Sequence, residues 1–93
     1  MAVDFEKLDA GLKNLRGLDF EKAERQERSA NNNYPDLTFD RSFQSRLAAV
    51  ALEIPVADIK EMPLREFTKV TGRVCNFLYS NSGEETPAEK SEA

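Results

Sequence analysis

The sequence predicts an all-α domain built on an antiparallel helical hairpin, and three observations support this prediction. Apolar residues within 39–79 recur at spacings of three and four, which is the period of a helix face that packs on a core. A short segment with a proline near each end, residues 54–63, divides this region into two such helical runs. The length of 93 residues allows one small core. We therefore assign 1–80 to one helical domain and 81–93 to a tail.

Residues 4–16 predict a first helix, whose apolar side chains fall close to one stripe: Phe5, Leu8, Leu12 and Leu15. Gly11 and Gly17 weaken the prediction, because glycine is about 1 kcal/mol less favourable than alanine inside a helix. An extended start at residues 2–5 is the alternative.

A second, highly charged helix follows Asp19, which is placed to cap it by accepting a hydrogen bond from a free main-chain amide. Phe20 and Ala23 are the only apolar edge of this helix, and the remaining charges are typical of a solvated face. We expect the helix to be thinly docked or to be completed by a partner.

Residues 29–36 predict a loop, because they are rich in asparagine and Pro35 disfavours the helical conformation of Tyr34. Thr38 or Asp40 can cap the next helix. The apolar face of this helix is predicted to comprise Phe39, Phe43, Leu47, Val50, Ala51 and Ile54. Alanines beside this face, at positions 48 and 49, would allow another helix to approach closely.

Pro55 ends that helix or opens the next turn, and residues 56–61 predict a short helix that presents Val56 and Ile59. Pro63 suits the first turn of a final helix. The stripe of the final helix is Leu64, Phe67, Val70, Val74, Phe77 and Leu78. Residues 81–93 hold no large apolar side chain, so we predict that this acidic tail is disordered.

The charge balance argues against a general nucleic-acid binder. Thirteen lysines and arginines face seventeen aspartates and glutamates, for a net charge of −4. A phosphate backbone would be repelled on average, although a local basic patch remains open. No apolar run reaches the length of a membrane span, and the acidic start differs from a secretory signal. We expect a cytoplasmic protein that binds neither membrane nor nucleic acid.

The residue types exclude most catalytic chemistry. The sequence has no histidine and a single cysteine, Cys75, and it lacks a glycine-rich phosphate loop. We expect no enzyme activity, no cofactor and no metal site, with Cys75 as a small apolar residue. Asp36 and Asp40 could bind a cation if both faced inward, but a loop residue followed by a helix-start residue explains the spacing as well.

One pattern is similar to a helix-turn-helix, the motif that places a second helix in the DNA major groove. Ala49 and Glu53 occupy positions where the motif often has alanine and the turn glycine. The second helix would carry Asp58, Lys60 and Glu61, which are not suited to reading base edges or binding phosphates. A small DNA-binding regulator is therefore the alternative hypothesis.

Residues 42–78 resemble the tail assembly chaperones of long-tailed bacteriophages and prophages. The resemblance rests on an alanine-rich helix followed by IleProValAlaAspIle, a Met-Pro step where the family often has Leu-Pro, PheThrLysValThr and AsnPheLeu. Residues 15–25 also resemble the family's segment before the loop. Together the likeness covers about two thirds of the chain.

The resemblance implies a helical, non-enzymatic protein that acts in the bacterial cytoplasm during tail assembly and is absent from the mature virion. Such proteins are thought to coat the long tape measure protein and to recruit tail tube subunits, which are the expected partners here. In many phages a ribosomal frameshift also yields a longer product. A second copy of the chain, in a homo-oligomer, is the alternative partner.

Our candidate partner-binding residues are Phe20, Ala23, Tyr34, Phe77 and Tyr79, and the alternative role of each is core packing. An apolar face open to solvent would favour the chaperone. A basic face formed by Arg41, Arg46, Lys69 and Arg73 would favour the regulator.

Overall fold

The structure, a computed structural model, describes residues 3–84, with side chains described through Tyr79. These residues form five α-helices and one 3-10 helix, and no strand is found among them. In chain order they are α1 (Phe5–Asn14), α2 (Gly17–Ser29), the 3-10 helix η1 (Leu37–Phe39), α3 (Arg41–Leu52), α4 (Val56–Lys60) and α5 (Leu64–Glu84). The predicted all-α class and the helical hairpin are confirmed.

Helix α3 lies at the centre and contacts each of the other elements. Asp40, one of the two predicted caps, begins it by accepting a hydrogen bond from the main-chain amide of Phe43, at 3.1 Å. Phe43 and Leu47 are buried, and Ala48 and Ala49 leave room for neighbouring helices. The rest of the core includes Leu8 and Leu12 of α1, Ile59 of α4, and Val70 and Val74 of α5.

Helix α1 packs against α3 through a glycine. Asp4 caps α1 by accepting a hydrogen bond from the amide of Lys7, at 3.1 Å, and Leu8 and Leu12 are buried as predicted. A methyl group added at Gly11 would lie 2.7 Å from the carbonyl carbon of Ala51 in α3. Gly11 therefore permits the close helix approach as well as lowering helix propensity.

Helix α2 begins earlier than the sequence predicted. Its N-cap is Arg16, and Asp19 lies in the first turn, where its carboxylate accepts a hydrogen bond from the Arg16 amide at 2.9 Å. The prediction that Asp19 is the N-cap was wrong, because Gly17 and Leu18 continue the helix one turn upstream. Ala23 and Glu27 are buried, so the charged helix is docked through more than its apolar edge.

The turn between α3 and α4 is built around Glu53. This residue has φ 61° and ψ 43°, in the left-handed region, and the amide of the next residue, Ile54, donates to the carbonyl of Ala49 at 3.0 Å. This arrangement closes the end of α3. The hairpin then continues through α4 and Pro63, whose carbonyl accepts the first hydrogen bond of α5 from Phe67, at 2.9 Å.

Three residues placed on core stripes by spacing are instead exposed. Phe39 is 55% exposed, Val50 is 43% exposed and Leu64 is 76% exposed. Phe39 belongs to η1 and so does not follow the register of α3, while Leu64 is the first residue of α5.

Helix α5 continues to Glu84 and so includes residues 81–84, the first four residues of the predicted tail. Residues 85–93 of that tail lie outside the described residues.

Candidate protein-binding surface

Two aromatic side chains form an exposed pair where the two ends of the hairpin meet. The rings of Phe39 and Tyr79 stack with centroids 5.0 Å apart and an angle of 29° between their planes. The hydroxyls of Tyr79 and Thr38 are hydrogen-bonded at 2.8 Å, which fixes the outer ring. Because Phe39 is 55% exposed and Tyr79 is 44% exposed, this aromatic pair presents ordered apolar surface to solvent.

A second apolar surface is an open groove of about 440 Å³, lined by Ser42, Lys60, Met62, Leu64 and Phe67. We call it the α4–α5 groove. Met62 and Phe67 are partly buried against the core, and Leu64 extends into solvent. Lys60 supplies the positive charge among the lining residues, and its ammonium donates a hydrogen bond to the hydroxyl of Ser42 at 2.9 Å.

A buried carboxylate lies behind Ser42 and joins α2 to α3. Glu27 is 2% exposed and accepts hydrogen bonds from Arg46 Nε at 2.7 Å, Asn32 Nδ2 at 2.8 Å and Ser42 Oγ at 3.1 Å. Burial by itself raises the pKa of Glu27, but the three hydrogen bonds and the charge of Arg46 outweigh it and lower the pKa below 4.5. Glu27 therefore stays ionised and holds the ends of α2 and α3 together.

The five predicted partner-binding residues lie in different environments. Phe20 is half-buried and packs edge-on against Phe43, with ring centroids 5.0 Å apart. Ala23 is 2% exposed and belongs to the core, so it offers no surface to a partner. Phe77 is half-buried against the same core. Tyr34 and Tyr79 are 49% and 44% exposed.

Tyr34 is set in the loop by main-chain hydrogen bonds. Its amide donates to Asn32 Oδ1 at 3.1 Å, and its carbonyl accepts from Arg28 Nη1 at 2.9 Å. Arg28 also donates to the carbonyl of Asn32 at 3.0 Å. The loop is thus held to the end of α2, and the ring of Tyr34 is left available for contact.

The four cations of the hypothetical DNA-binding face are not equally free. Arg46 is paired with Glu27 at 2.7 Å, and Arg73 is paired with Asp9 at 2.9 Å. Arg73 also lies over the ring of Phe5, 4.9 Å from its centroid. Arg41 and Lys69 are exposed. Two of the four charges are therefore already compensated within the fold.

The two carboxylates weighed as a cation site serve as caps. Asp36 accepts hydrogen bonds from the amide and the hydroxyl of Thr38, at 3.1 and 2.7 Å. Asp40 accepts from the amide of Phe43 and from Asn32 Nδ2, at 3.1 and 2.8 Å. Within residues 3–84, no cluster of three or more potential ligands could hold a metal ion.

None of the helices in that range is long and apolar enough to cross a membrane.

Sequence reasoning missed three residues of these surfaces. Phe39 and Leu64 match the spacing of a buried stripe, so periodicity placed them in the core. Lys60 was considered only as a poor contact for DNA. The signal that marks Leu64 is its position directly after Pro63, because a proline suits the first turn of a helix and so places Leu64 at the very end of the apolar stripe.

Comparison with known proteins found no matching family model, no matching curated protein and no matching solved structure.

Proposed function

We propose that this protein is a non-enzymatic tail assembly chaperone of a phage or prophage. In this role it binds the tape measure protein and helps to recruit tail tube subunits in the cytoplasm of the bacterial host. The proposal combines the sequence resemblance over residues 42–78 with the surface properties of the fold.

The observation that carries the proposal is the exposed aromatic pair, Phe39 and Tyr79. Aromatic rings supply large contact areas at a small cost in side-chain entropy, and they are enriched in protein interfaces. The stacking and the Thr38 hydrogen bond hold the rings in place before a partner arrives. A pre-ordered apolar surface suits reversible binding of an apolar helical chain.

The alternative function, DNA binding through the α3–α4 turn, receives less support. Helix α4 has only five residues, and its only basic residue is Lys60. Arg46 and Arg73, which would have to contribute to a basic face, are paired with carboxylates. A left-handed turn at Glu53 is also what any tight helical corner requires, so it does not favour the regulator.

The proposal is tested by co-expressing the chain with the tape measure protein encoded nearby and measuring how much of that protein becomes soluble and co-purifies. We expect a soluble complex with the wild-type chain. Replacing both aromatic residues, Phe39→Ser with Tyr79→Ser, should remove most of the complex, since it removes both rings of the exposed stacked pair.

A matched control is Val50→Ser, which also replaces an exposed apolar residue but lies on α3 outside the aromatic pair. This variant should retain the complex, and circular dichroism should show that all variants remain helical. Failure of the wild-type chain to form any complex, together with salt-sensitive binding to duplex DNA, would reject the chaperone and favour the regulator.

A further inference from the structure

We propose that the α4–α5 groove binds an amphipathic helix of the partner protein, one that carries a large apolar side chain and a carboxylate about one helical turn away. The inference rests on the proposed function, because it specifies the chemistry of the segment that the chaperone would bind. It is carried by the juxtaposition of Leu64, Phe67 and Lys60 around one groove.

The apolar part of the groove is incomplete without an occupant. Leu64 is 76% exposed at the start of α5, whereas Met62 and Phe67 pack against the core from the same groove. Covering a leucine of this exposure removes apolar surface from water, which favours association. The groove is open to solvent, so it suits the face of a partner helix better than a small molecule that must be enclosed.

The charge at the rim selects the partner. Lys60 has no carboxylate within 4.0 Å among the described residues, whose ion pairs are Arg46–Glu27 and Arg73–Asp9. Its ammonium gives one hydrogen bond to Ser42 at 2.9 Å. A lysine ammonium has three protons, so two remain for an incoming carboxylate.

The position of Lys60 is fixed from inside the protein. Ser42 accepts from Lys60 and donates to the buried carboxylate of Glu27, at 3.1 Å. The Ser42 hydroxyl proton is therefore committed to Glu27, and the hydroxyl oxygen is directed to Lys60. A partner carboxylate consequently meets an ammonium that is already oriented, which lowers the entropy lost on binding.

The probe is a set of overlapping synthetic peptides, each about 20 residues long, that together cover the tape measure protein. Binding to the full 93-residue chain is measured by fluorescence anisotropy. We expect the peptides that bind to share an apolar residue and an acidic residue spaced three or four positions apart, since that spacing puts both on one helix face. Leu64→Ser should weaken their binding about tenfold or more.

The matched control for Leu64→Ser is Leu18→Ser. Leu18 is 74% exposed but lies on α2, away from the groove, so this change should leave binding unaltered. For the charge, Lys60→Glu should weaken binding about tenfold, whereas Lys69→Glu on the exposed side of α5 should not. Binding by Lys60→Glu should return when the acidic residue of the peptide is replaced by lysine.

The outcomes separate this inference from the proposed function. If the wild-type chain neither binds a peptide nor co-purifies with the tape measure protein, both are rejected. If it binds and the groove variants bind equally well, only the groove assignment is rejected. A dimer that dissociates with Leu64→Ser in sedimentation experiments would also overturn it, because the occupant would then be a second copy of the chain.

Discussion

At the scale of single residues, the buried carboxylate of Glu27 links α2 to α3 through its hydrogen bonds to Arg46 and Ser42. A buried carboxylate is costly unless it is well compensated, and Glu27 has a guanidinium, an amide and a hydroxyl as donors. The sequence gives little sign of this, because Glu27 sits among the charges of a helix that reads as a solvated surface. Its burial arises from tertiary packing of α2 against α3, which residue spacing within α2 does not encode.

We predict that Glu27→Gln lowers the free energy of unfolding by about 2 kcal/mol at pH 7, because it replaces charged hydrogen bonds by neutral ones and leaves Arg46 without its counter-ion. Urea denaturation measures the change. Glu21→Gln, an exposed change on the same helix, is the control and should alter stability by less than about 0.5 kcal/mol.

The same residue predicts a pH dependence. The pKa of Glu27 is lower in the folded protein than its usual 4.5. The contribution of the ionised carboxylate to the free energy of unfolding is therefore fully present above that value, and it is lost as the pH falls through the lower, folded-state pKa. The stability difference between wild type and Glu27→Gln should therefore be constant from pH 7 to about pH 5 and shrink at lower pH. A difference that grows on acidification would contradict this assignment.

At the scale of helices, replacing a glycine by alanine should have opposite effects on stability at two positions, Gly11 and Gly72, although both lie inside helices. Gly11→Ala should be destabilising by about 1 kcal/mol or more, because the new methyl group would collide with the main chain of Ala51. A methyl group added at Gly72, in the interior of α5, would have nothing within 4 Å apart from its chain neighbours and the nearby backbone of its own helix. Gly72→Ala should therefore stabilise the protein by up to about 1 kcal/mol through helix propensity.

Thermal and urea unfolding of the two alanine variants provide the measurement, with each variant acting as the control for the other. Equal stabilisation by both changes would show that α1 and α3 can separate at no cost. Helix propensity considered by itself would give a gain at both positions, because it depends on residue type alone, whereas the contact with Ala51 depends on how α1 packs on α3.

The end of α3 allows a second prediction at this scale. Glu53 adopts a left-handed conformation that costs a residue with a side chain roughly 1 kcal/mol. Glu53→Gly should therefore stabilise the protein by about that amount, as seen in its unfolding midpoint. Asn31→Gly tests the same conformation, with φ 68°, but should gain less because asparagine tolerates it better. Loss of stability in Glu53→Gly would contradict this account.

The elements themselves were largely predictable. Period, caps and prolines located α1, α3, α4 and α5, and of the two caps predicted for α3, Thr38 and Asp40, it is Asp40 that begins the helix. The surfaces were less predictable, because Phe39 and Leu64 satisfy a helix period while lying just beyond the packed turns. Whether such a residue is buried or exposed depends on where the neighbouring helices end, and this follows from the three-dimensional arrangement rather than from spacing along the chain.

At the scale of the whole molecule, α3 is the common support, and the other elements differ in how firmly they hold to it. Helix α1 packs closely through Gly11, Leu8 and Leu12, whereas α2 is held by Ala23, by half-buried Phe20 and by the Glu27 hydrogen bonds. The fold therefore need not open as a single unit, since units with few buried apolar contacts open at a lower free energy.

We predict that native-state hydrogen exchange separates two levels of stability. Amides in the central turns of α3 and α1 should exchange only on global unfolding, because both helices bury large apolar side chains. Amides in α2 should exchange through a local opening, and Glu27→Gln should lower the free energy of that opening. For amides in α3, the same substitution should lower the free energy of exchange only by the amount of global stability that it removes. If α2 and α3 exchanged with the same free energy in both proteins, the domain would be one cooperative unit.

Ser42 orients Lys60 at the α4–α5 groove and is itself held by Glu27 of α2. Ser42 therefore loses this hydrogen bond whenever α2 opens, so the partial opening predicted here would also loosen the charged rim of that groove.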